Sequence, residues 1–344
     1  MELHTRVRII GPAEPPYEQW YRDGVIDSGT WADYPDASHG YSLEDLLQVG
    51  APETEPADFD DFWAGRLAEA LGVDPDLQIQ EVNGSPEFIR YQGTFASVGG
   101  RRIGCWVVLP RDGEVRIAKT VLHGYGGRTD APVADVRPGE AVIFPVLRGQ
   151  PTLSLDPEIK AMGTEHVLHG IESRDSYVIG GCVADVWVAN TALLGLLGAL
   201  GAKPEIVALQ GGSFGGGIGS LAMIDRRFER AAFSVPTFGN QPLRVTLPCR
   251  GSGSSVTRHH ADHPEVLEVL AYFDAATAAK RATQPVLCST AQWDPAVPPA
   301  GQFAVANSFP NAEHLVVPGG HCDWPESQAH LAEVAHAFEE FLAR

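Results

Sequence analysis

The sequence has few cysteines, and their pattern excludes several kinds of protein. There are five, at scattered positions and without a Cys-x-x-Cys pair, namely Cys105, Cys182, Cys249, Cys288 and Cys322. An odd, scattered set argues against a disulfide scaffold and against a structural zinc site. Reduced thiols are typical of cytosolic proteins, so we expect a cytoplasmic location.

Basic charge is also scarce, because 25 Lys and Arg residues stand against 44 Asp and Glu, for a formal net charge of −19. A field of that sign repels phosphate backbones and anionic lipid surfaces, so neither a nucleic acid nor a membrane is an expected partner. The N-terminus lacks the apolar segment of a secretory signal, and no run of about 18 apolar residues predicts a membrane-spanning helix.

What is present divides the chain into two parts. Residues 1–41 are rich in Pro, Tyr, Trp, Asp and Gly, with Trp31 among them, and show little apolar periodicity. Disordered segments are usually poor in aromatic residues, so we predict an ordered, irregular arm that packs on the body or on a neighbouring subunit. Residues 42–344 are predicted to form the main domain.

The main domain alternates short apolar runs with helical stretches. Residues 59–71 have apolar side chains at helical spacings, and the β-like runs 87–97 and 101–109 flank a Gly-Gly turn, which predicts an antiparallel hairpin. Later helices are predicted at 176–200 and 327–342. The remaining predicted strands lie at 119–122, 140–146, 206–209, 230–234, 285–289 and 313–317. This order predicts an α/β fold, with a mostly parallel central sheet covered by helices on both faces.

One segment, residues 243–265, interrupts this alternation and is predicted to be a cap-like insertion. It contains His259, His260, Asp262 and His263, which are residue types that bind metals. Their spacing fits no specific ligand pattern, so we favour a solvated polar loop and expect no metal and no cofactor. A metal hydrolase built on these histidines stays open as an alternative.

The run Gly211-Gly212-Ser213-Phe214-Gly215 is a GxSxG motif that lies between a predicted strand and a predicted helix. A serine hydroxyl is a weak nucleophile, which needs a base to accept its proton and donors to hold an oxyanion. In the α/β-hydrolase fold such a serine lies on a sharp strand-to-helix turn with small neighbours. Ser213 is therefore the predicted nucleophile. A phosphate-binding turn is the rival interpretation, but neither a P-loop lysine nor a GxGxxG follows.

The general base and its acidic partner are expected after the nucleophile, in the order Ser, Asp or Glu, His. Asp294 and His321 each follow a predicted strand, and His321 lies in a Pro-Gly-Gly loop. We therefore predict Asp294 as the acid and His321 as the base. His314 lies within a strand, and Asp323 is too close in sequence to His321 to orient it easily, so both are weaker candidates.

The oxyanion donors are expected to be two backbone N–H groups. One belongs to Phe214, the residue after the nucleophile. The other is predicted at Tyr125, in the glycine-rich run His123-Gly124-Tyr125-Gly126-Gly127. We expect His123 to hold this loop through a hydrogen bond.

Together these motifs resemble those of carbohydrate esterase family 7, the acetyl xylan esterases and cephalosporin-C deacetylases, over residues 42–344. The matching motifs are an N-terminal helix at 58–63, Arg-Gly-Gln at 148–150, the Gly-rich elbow at 211–217, Tyr-Phe-Asp at 272–274 and Asp-x-x-x-Pro-Pro at 294–299. The resemblance implies the α/β-hydrolase fold. It also implies that Arg148 and Gln150 are structural residues near the site.

The resemblance further implies a metal-independent serine esterase, which removes acetyl or other short acyl groups from carbohydrates or small molecules through an acyl-serine intermediate. It implies a homo-oligomer, a hexamer of three dimers with the active sites facing an internal cavity. The alternatives are a related hydrolase with larger acyl or amide substrates, such as a peptidase, and a non-catalytic binding protein on the same fold.

The sequence departs from the family pattern at several positions. Phe214 replaces the Gln that follows the nucleophile, Cys322 replaces the Glu that follows the histidine, and residues 151–174 form a shorter segment. The arm of residues 1–41 has no counterpart. We expect the apolar Phe214 and the altered loop at 151–174 to reshape the substrate pocket and the arm to alter the assembly.

Overall fold

The computed structural model describes residues 6–22 and 36–344. Its strands are β1 (Arg6–Ile9), β2 (Gln78–Val82), β3 (Phe88–Ser97), β4 (Arg101–Pro110), β5 (Ile117–Val121), β6 (Glu140–Pro145), β7 (Ile206–Gly212), β8 (Arg230–Ser234), β9 (Val286–Ala291) and β10 (Ala312–Val317). They form one ten-stranded sheet in the order β1-β10-β9-β8-β7-β5-β6-β4-β3-β2.

Helices cover the two faces of this sheet. Those of the described residues are α1 (Tyr17–Arg22), α2 (Leu43–Leu46), α3 (Phe59–Leu71), α4 (Gly163–His166), α5 (Val178–Ala199), α6 (Phe214–Ala222), α7 (Gln241–Arg244), α8 (Gly251–Asp262), α9 (Val266–Leu270), α10 (Ala275–Ala279), α11 (Pro299–Ser308) and α12 (Ser327–Leu342). The boundaries of α3 and α12 are those that the apolar spacing predicts. The predicted α/β architecture is confirmed.

The sheet is parallel from β1 to β6 in its spatial order and antiparallel from β6 to β2. The hairpin of β3 and β4 is therefore present as predicted, with a 3₁₀ turn at Val98–Gly100. Strands β6 and β9 are buried along their whole length. Strands covered on both faces have this continuous apolar pattern, which explains why the sequence predicts them well.

Two edge strands, β1 and β2, were not predicted from the sequence. Strand β2 is mostly polar and half-exposed, so it has no apolar run to mark it. Strand β1 pairs in parallel with β10, so this stretch of the arm extends the sheet and the prediction of irregular structure there is wrong. Residues 1–5 and 23–35, which include Trp31, lie outside the described residues, and the structure does not test the prediction for them.

The segment 243–265 is mainly helical, so the prediction of a polar loop is wrong. Helix α8 is rich in Gly and Ser, which are poor helix formers, but burial of Gly253, Ser255 and Val256 against the body stabilises it. The rings of His259 and His263 lie 4.7 Å apart at the C-terminal end of α8. Across the described residues no three His, Cys, Asp or Glu side chains cluster as metal ligands.

Helix α5 is the long central helix that the sequence predicts near 176–200. Among the described residues it is the one helix long and apolar enough to cross a membrane. The expectation that no run of residues is apolar enough for a membrane span did not anticipate this helix. Two thirds of its most apolar window are buried inside the protein (67%), as in the core helix of a globular domain. Asp185 lies within it, fully buried and paired with Arg148.

Candidate active site

Ser213 lies between the end of β7 and the start of α6, with φ 54° and ψ −117°. Residues other than glycine rarely adopt a positive φ. The Ser213 N–H donates to the Ser234 carbonyl at 2.8 Å, and the Ser213 carbonyl accepts N–H groups from Gly217 at 3.0 Å and Thr237 at 3.2 Å. These bonds hold the strained backbone and place the hydroxyl at the carboxyl edge of the sheet.

The turn requires glycine at two positions where backbones come close together. A Cβ at Gly211 would lie 2.5 Å from the Gly215 carbonyl oxygen, and a Cβ at Gly215 would lie 2.7 Å from the His123 carbonyl oxygen. Any side chain at these positions would push apart β7, α6 and the loop after β5. The glycines around Ser213 are therefore explained by close approach of the backbone.

A chain of two hydrogen bonds joins Ser213, His321 and Asp294. The Ser213 Oγ lies 2.8 Å from His321 Nε2, and His321 Nδ1 lies 2.8 Å from Asp294 Oδ2. Because a carboxylate only accepts hydrogen bonds, Nδ1 carries the ring proton and Nε2 is free to accept the serine proton. The three residues thus stand in the arrangement in which an imidazole activates a hydroxyl.

Asp294 is fully buried, and four donors surround its carboxylate. Its Oδ1 accepts the N–H groups of Ala296 at 2.8 Å and Val297 at 3.0 Å, while Oδ2 accepts Gln302 Nε2 at 2.8 Å in addition to His321. These hydrogen bonds fix the carboxylate beside the imidazole, so Asp294 can orient the ring and stabilise a positive charge on it.

His321 lies at the surface end of the site, with 28% of its side chain exposed and a φ of 51°. Burial lowers the pKa of the imidazole, but the charge of Asp294 and its hydrogen bond outweigh burial, so the net shift raises the pKa. A Cβ at Gly320 would lie 2.3 Å from Asp294 Oδ2. The glycine before His321 is therefore what lets the carboxylate reach the ring.

The loop after β5 carries the predicted oxyanion donor Tyr125, and His123 holds it. The Leu147 N–H donates to His123 Nε2 at 3.0 Å, so Nδ1 carries the proton and donates to the Gly124 carbonyl at 2.7 Å. Burial lowers the pKa of His123 to about 4, which keeps the ring neutral. The expected hydrogen bond from His123 to its own loop is present.

Tyr125 and Phe214, the two predicted oxyanion donors, stack their side chains on each other. The ring centroids are 4.1 Å apart with planes inclined by 21°. Phe214 is fully buried in the core, so its ring does not line the substrate cavity. Phe214 reaches the cavity only through Tyr125, on which its ring stacks and which lines the cavity, so the expectation that Phe214 and the altered loop reshape the pocket stays a prediction.

Arg148 and Gln150 tie the loops around the site to the body. Arg148 Nε and a terminal nitrogen contact the two carboxylate oxygens of Asp185 at 3.0 and 2.7 Å. Gln150 Oε1 accepts the Gly126 N–H at 3.3 Å, and its Nε2 donates to the Ala161 carbonyl at 3.2 Å. Neither side chain lines the cavity at Ser213, so both have contacts of a structural kind.

A cavity of about 490 Å³ opens at Ser213 and His321. Its walls come from the loop 124–126, the segment 161–164, the start of α8 with residues 250–252, and Ala296 and Val297. The segment 161–164 lies within the altered loop that was expected to reshape the pocket, and residues 250–252 lie within the predicted cap-like insertion, although no motif marks either wall. A larger cavity of about 580 Å³ lies elsewhere, beside Arg66 and Arg148, and does not include Ser213.

The two weaker candidates lie outside the hydrogen-bonded group. His314 is buried within β10, where its Nε2 lies 2.6 Å from Thr290 Oγ1, and burial lowers its pKa to about 4. Asp323 is exposed, and His321 Nδ1 is bonded to Asp294 instead. The structure therefore brings together Ser213, His321 and Asp294 and leaves the rivals aside.

Comparisons with known proteins agree with this geometry. Residues 39–330 match the family described as acetyl xylan esterase (AXE1). The fold is similar to that of an acetyl xylan esterase from Paenibacillus sp. R4, with a TM-score of 0.74 and 21% identity over 87% of this chain and 100% of that one. For acetyl xylan esterase 1 from Thermoanaerobacterium sp. JW/SL YS485 the TM-score is 0.71 and the identity 21%, over 87% and 99% of the two chains.

The fold also resembles one part of larger peptidases. An acylaminoacyl peptidase from Pyrococcus horikoshii aligns with a TM-score of 0.55 and 15% identity, over 79% of this chain but only 42% of that one. At this identity the likeness concerns the fold alone. Because the family match covers most of the chain and includes all three residues joined at the site, the resemblance to carbohydrate esterase family 7 is confirmed: the chain belongs to the acetyl xylan esterase family of α/β hydrolases and is a carboxylic ester hydrolase.

Proposed function

We propose that this esterase hydrolyses acetyl and other short acyl esters of carbohydrates or small molecules through an acyl-Ser213 intermediate. The observation that carries the proposal is the chain of two 2.8 Å contacts from Ser213 through His321 to Asp294. At that distance His321 Nε2 can accept the hydroxyl proton while Ser213 Oγ attacks the ester carbonyl. Asp294 holds the ring and stabilises the imidazolium that forms.

The negative charge of the tetrahedral intermediate develops on the former carbonyl oxygen. Phe214 is the first residue of α6, so its N–H has no partner within the helix. A Cβ at Gly124 would lie 3.9 Å from the Ser213 Cβ, which sets the neighbouring Tyr125 backbone beside the nucleophile. Both facts support Phe214 and Tyr125 as the two N–H donors of the oxyanion hole.

The intermediate then collapses, and the imidazolium of His321 gives its proton to the departing alcohol. Water enters, His321 accepts a proton from it, and hydroxide attacks the acyl-serine carbonyl. The second tetrahedral intermediate releases the carboxylic acid and restores the Ser213 hydroxyl with the proton held by His321. Every proton and charge in these steps is assigned to a protein group, so the proposed mechanism requires no metal and no cofactor.

Replacement of Ser213 by Ala tests the assignment. We expect turnover of p-nitrophenyl acetate to fall by about 10⁴–10⁶-fold, as when the nucleophile of a serine triad is removed. The thermal unfolding midpoint should stay close to that of the wild type, and a fluorophosphonate probe should label only the wild type. Activity that survives in Ser213→Ala, or that is lost on dialysis against a chelator, would contradict the mechanism.

A profile of acyl chains and leaving groups distinguishes the remaining alternatives. We expect acetyl esters to react faster than butyryl and longer esters, and aminoacyl amides not to react. A preference for longer chains would indicate a larger-acyl esterase, and cleavage of amides would indicate a peptidase. Failure of the fluorophosphonate to label Ser213 would favour a non-catalytic binding protein.

We also propose a cytoplasmic homo-oligomer, with no nucleic-acid or membrane partner. The net charge of −19 supports the absence of such partners. The family resemblance alone supports a hexamer, and the arm of residues 1–41 is proposed to act as a separate packing segment. Light scattering on the purified protein measures the mass of the assembly. An octameric or monomeric mass would contradict the hexamer.

A further inference from the structure

The arm, as far as the structure describes it at residues 6–22 and 36–41, runs beside the strand that leads to His321. Strand β1 pairs with β10, and the Ile10 N–H then donates to the Val316 carbonyl at 2.8 Å. A Cβ at Gly11 would lie 3.0 Å from Pro318 Cγ. The arm therefore follows β10 to its end and contacts the loop that carries His321.

Tyr17 connects this loop to the loop that carries Asp294. Its hydroxyl donates to the Pro318 carbonyl at 2.5 Å, and its ring stacks on Trp293, with centroids 5.6 Å apart and planes inclined by 16°. Pro318 lies three residues before His321, and Trp293 is the residue before Asp294. One side chain of the arm thus touches both loops within a few residues of the acid and the base.

A second set of arm contacts surrounds the same place. The Asp294 N–H donates to the Ala37 carbonyl at 3.3 Å, and Ala37 is buried against Trp293. Trp20 and Cys322, the residue after His321, both pack against the cluster of Ala37 and Trp293. Two separate stretches of the arm, one around Tyr17 and one at Ala37, therefore enclose the two loops.

The backbone conformation of the His321 loop requires support from its surroundings. His321 has a φ of 51°, a backbone conformation that persists in a non-glycine residue only when its surroundings enforce it. The loop is tied to the acid loop by the Gly320 N–H, which donates to the Trp293 carbonyl at 2.9 Å. Tyr17 contacts Trp293, one partner of that bond, and Pro318, which lies two residues before the other partner.

We propose that the arm is a brace that positions His321 and Asp294 for the reaction, and that Tyr17 is its main positioning residue. The proposal rests on the proposed function, since it assigns the arm a part in that same reaction. The family match begins at residue 39, after Tyr17 and Ala37, so the brace lies outside what the match covers. Displacement of a catalytic group by about 1 Å can cost about 100-fold in rate, so a brace of this kind acts on kcat.

Two variants of Tyr17 test the brace, with kcat and KM measured for p-nitrophenyl acetate below the unfolding temperature of each. Tyr17→Phe keeps the ring on Trp293 and loses the bond to Pro318, so we expect kcat to fall about 3–10-fold. Tyr17→Ala loses both contacts, and we expect a fall of about 100-fold with KM changed less than about twofold. The rate of Ser213 labelling by a fluorophosphonate should fall in parallel with kcat.

Tyr272→Phe is the matched control. The Tyr272 hydroxyl also donates at 2.5 Å, to Asp58 Oδ1, but it lies outside the cavity at Ser213. We expect its kcat to equal that of the wild type. Titration of active sites by the fluorophosphonate separates lost rate per site from lost folded protein.

Three results would overturn the brace: a Tyr17→Ala kcat within twofold of the wild type, a loss explained entirely by fewer titratable sites, or an equal loss in Tyr272→Phe. If the wild type itself shows no hydrolysis that depends on Ser213, the proposed function fails instead. The two failures are therefore distinguishable in one series of measurements.

Discussion

The turn around Ser213 and the loop of His321 both hold a functional residue at a positive φ, 54° in one and 51° in the other. The Ser213 turn is enclosed by the core: Phe214 behind it is fully buried, and glycines at 211 and 215 allow backbones to touch. The His321 loop lies near the surface. Its support includes Tyr17, which is 301 residues away in sequence from Pro318, the residue it bonds.

The difference predicts how each region responds to substitution. Phe214, which supports the Ser213 turn from behind, is part of the core, so its loss costs mainly free energy of folding. A residue of the His321 and Asp294 loops acts on the reacting groups from the edge of the sheet, so its loss costs mainly rate. Both the rate and the free energy of unfolding are therefore measured for each variant, because the comparison holds only if the two regions differ in which quantity changes.

Among variants that keep Ser213, Asp294→Asn gives the largest expected effect, and it tests the His321 side of the comparison. The variant keeps the shape of the side chain but removes the charge that orients and stabilises the imidazolium, so kcat should fall by about 10⁴-fold. The free energy of unfolding should fall by only about 1–3 kcal/mol, the cost of a mismatched buried hydrogen bond to Gln302. Esterase assays and urea denaturation measure the two effects.

Asp323→Asn is the control for that variant, because Asp323 is an exposed acid in the same loop as His321. We expect its activity and stability to match those of the wild type. A loss in Asp323→Asn as large as in Asp294→Asn would mean that the negative charge of the loop matters and the bond to His321 does not.

Phe214→Ala tests the core side of the comparison. Removal of a fully buried ring that stacks on Tyr125 should cost about 3–5 kcal/mol of folding free energy. The backbone N–H of residue 214 remains, so kcat per titrated active site should change less than about 10-fold, the effect of small shifts in donor position. Denaturation curves and active-site titration separate the two effects.

Phe303→Ala is a matched control, since Phe303 is also fully buried but belongs to a different apolar cluster, with Leu46 and Val316. Both variants should keep the wild-type preference among acetyl, butyryl and longer esters. If only Phe214→Ala accepts longer chains, then Phe214 does form a wall of the pocket, and the comparison between core and edge fails at this residue.

The same contrast explains how much could be predicted from the sequence. The Ser213 turn depends on residues close together in the chain, so its glycines and flanking elements form a recognisable motif. The order Ser213, Asp294, His321 could be predicted because each residue follows a short, largely apolar run that marks a strand. The walls at 161–164 and 250–252 could be predicted only coarsely, as parts of a shortened loop and of a cap-like insertion, because only tertiary packing brings their residues to Ser213. Helix α8 was missed since burial overrides the weak helix propensity of Gly and Ser.

The structure of the arm could be predicted only in part, for the same reason. Its aromatic residues indicated order, but Val7 and Ile9 alone are too short a pattern to predict a strand, and nothing in the sequence near Tyr17 points to Pro318. A contact between residues at opposite ends of a chain depends on the whole sheet being assembled. Such contacts leave no motif in the sequence and can be identified only from the packed structure.

The smallest expected effect is a pH dependence of kcat/KM, which distinguishes the two histidines of the site. The pKa of His321 is raised by Asp294, whereas burial lowers the pKa of His123, in the loop beside Ser213, to about 4. The base must be neutral to accept a proton, so kcat/KM should fall as the pH drops through the His321 pKa, with a midpoint above the usual 6.5. Above pH 5 the fall should follow a single ionisation, because His123 stays neutral there. A pH–rate profile measures this fall of kcat/KM at low pH. A midpoint below 6.5, or a slope that requires two protons, would place a second titrating group at the core side of the site and remove the distinction between the two regions.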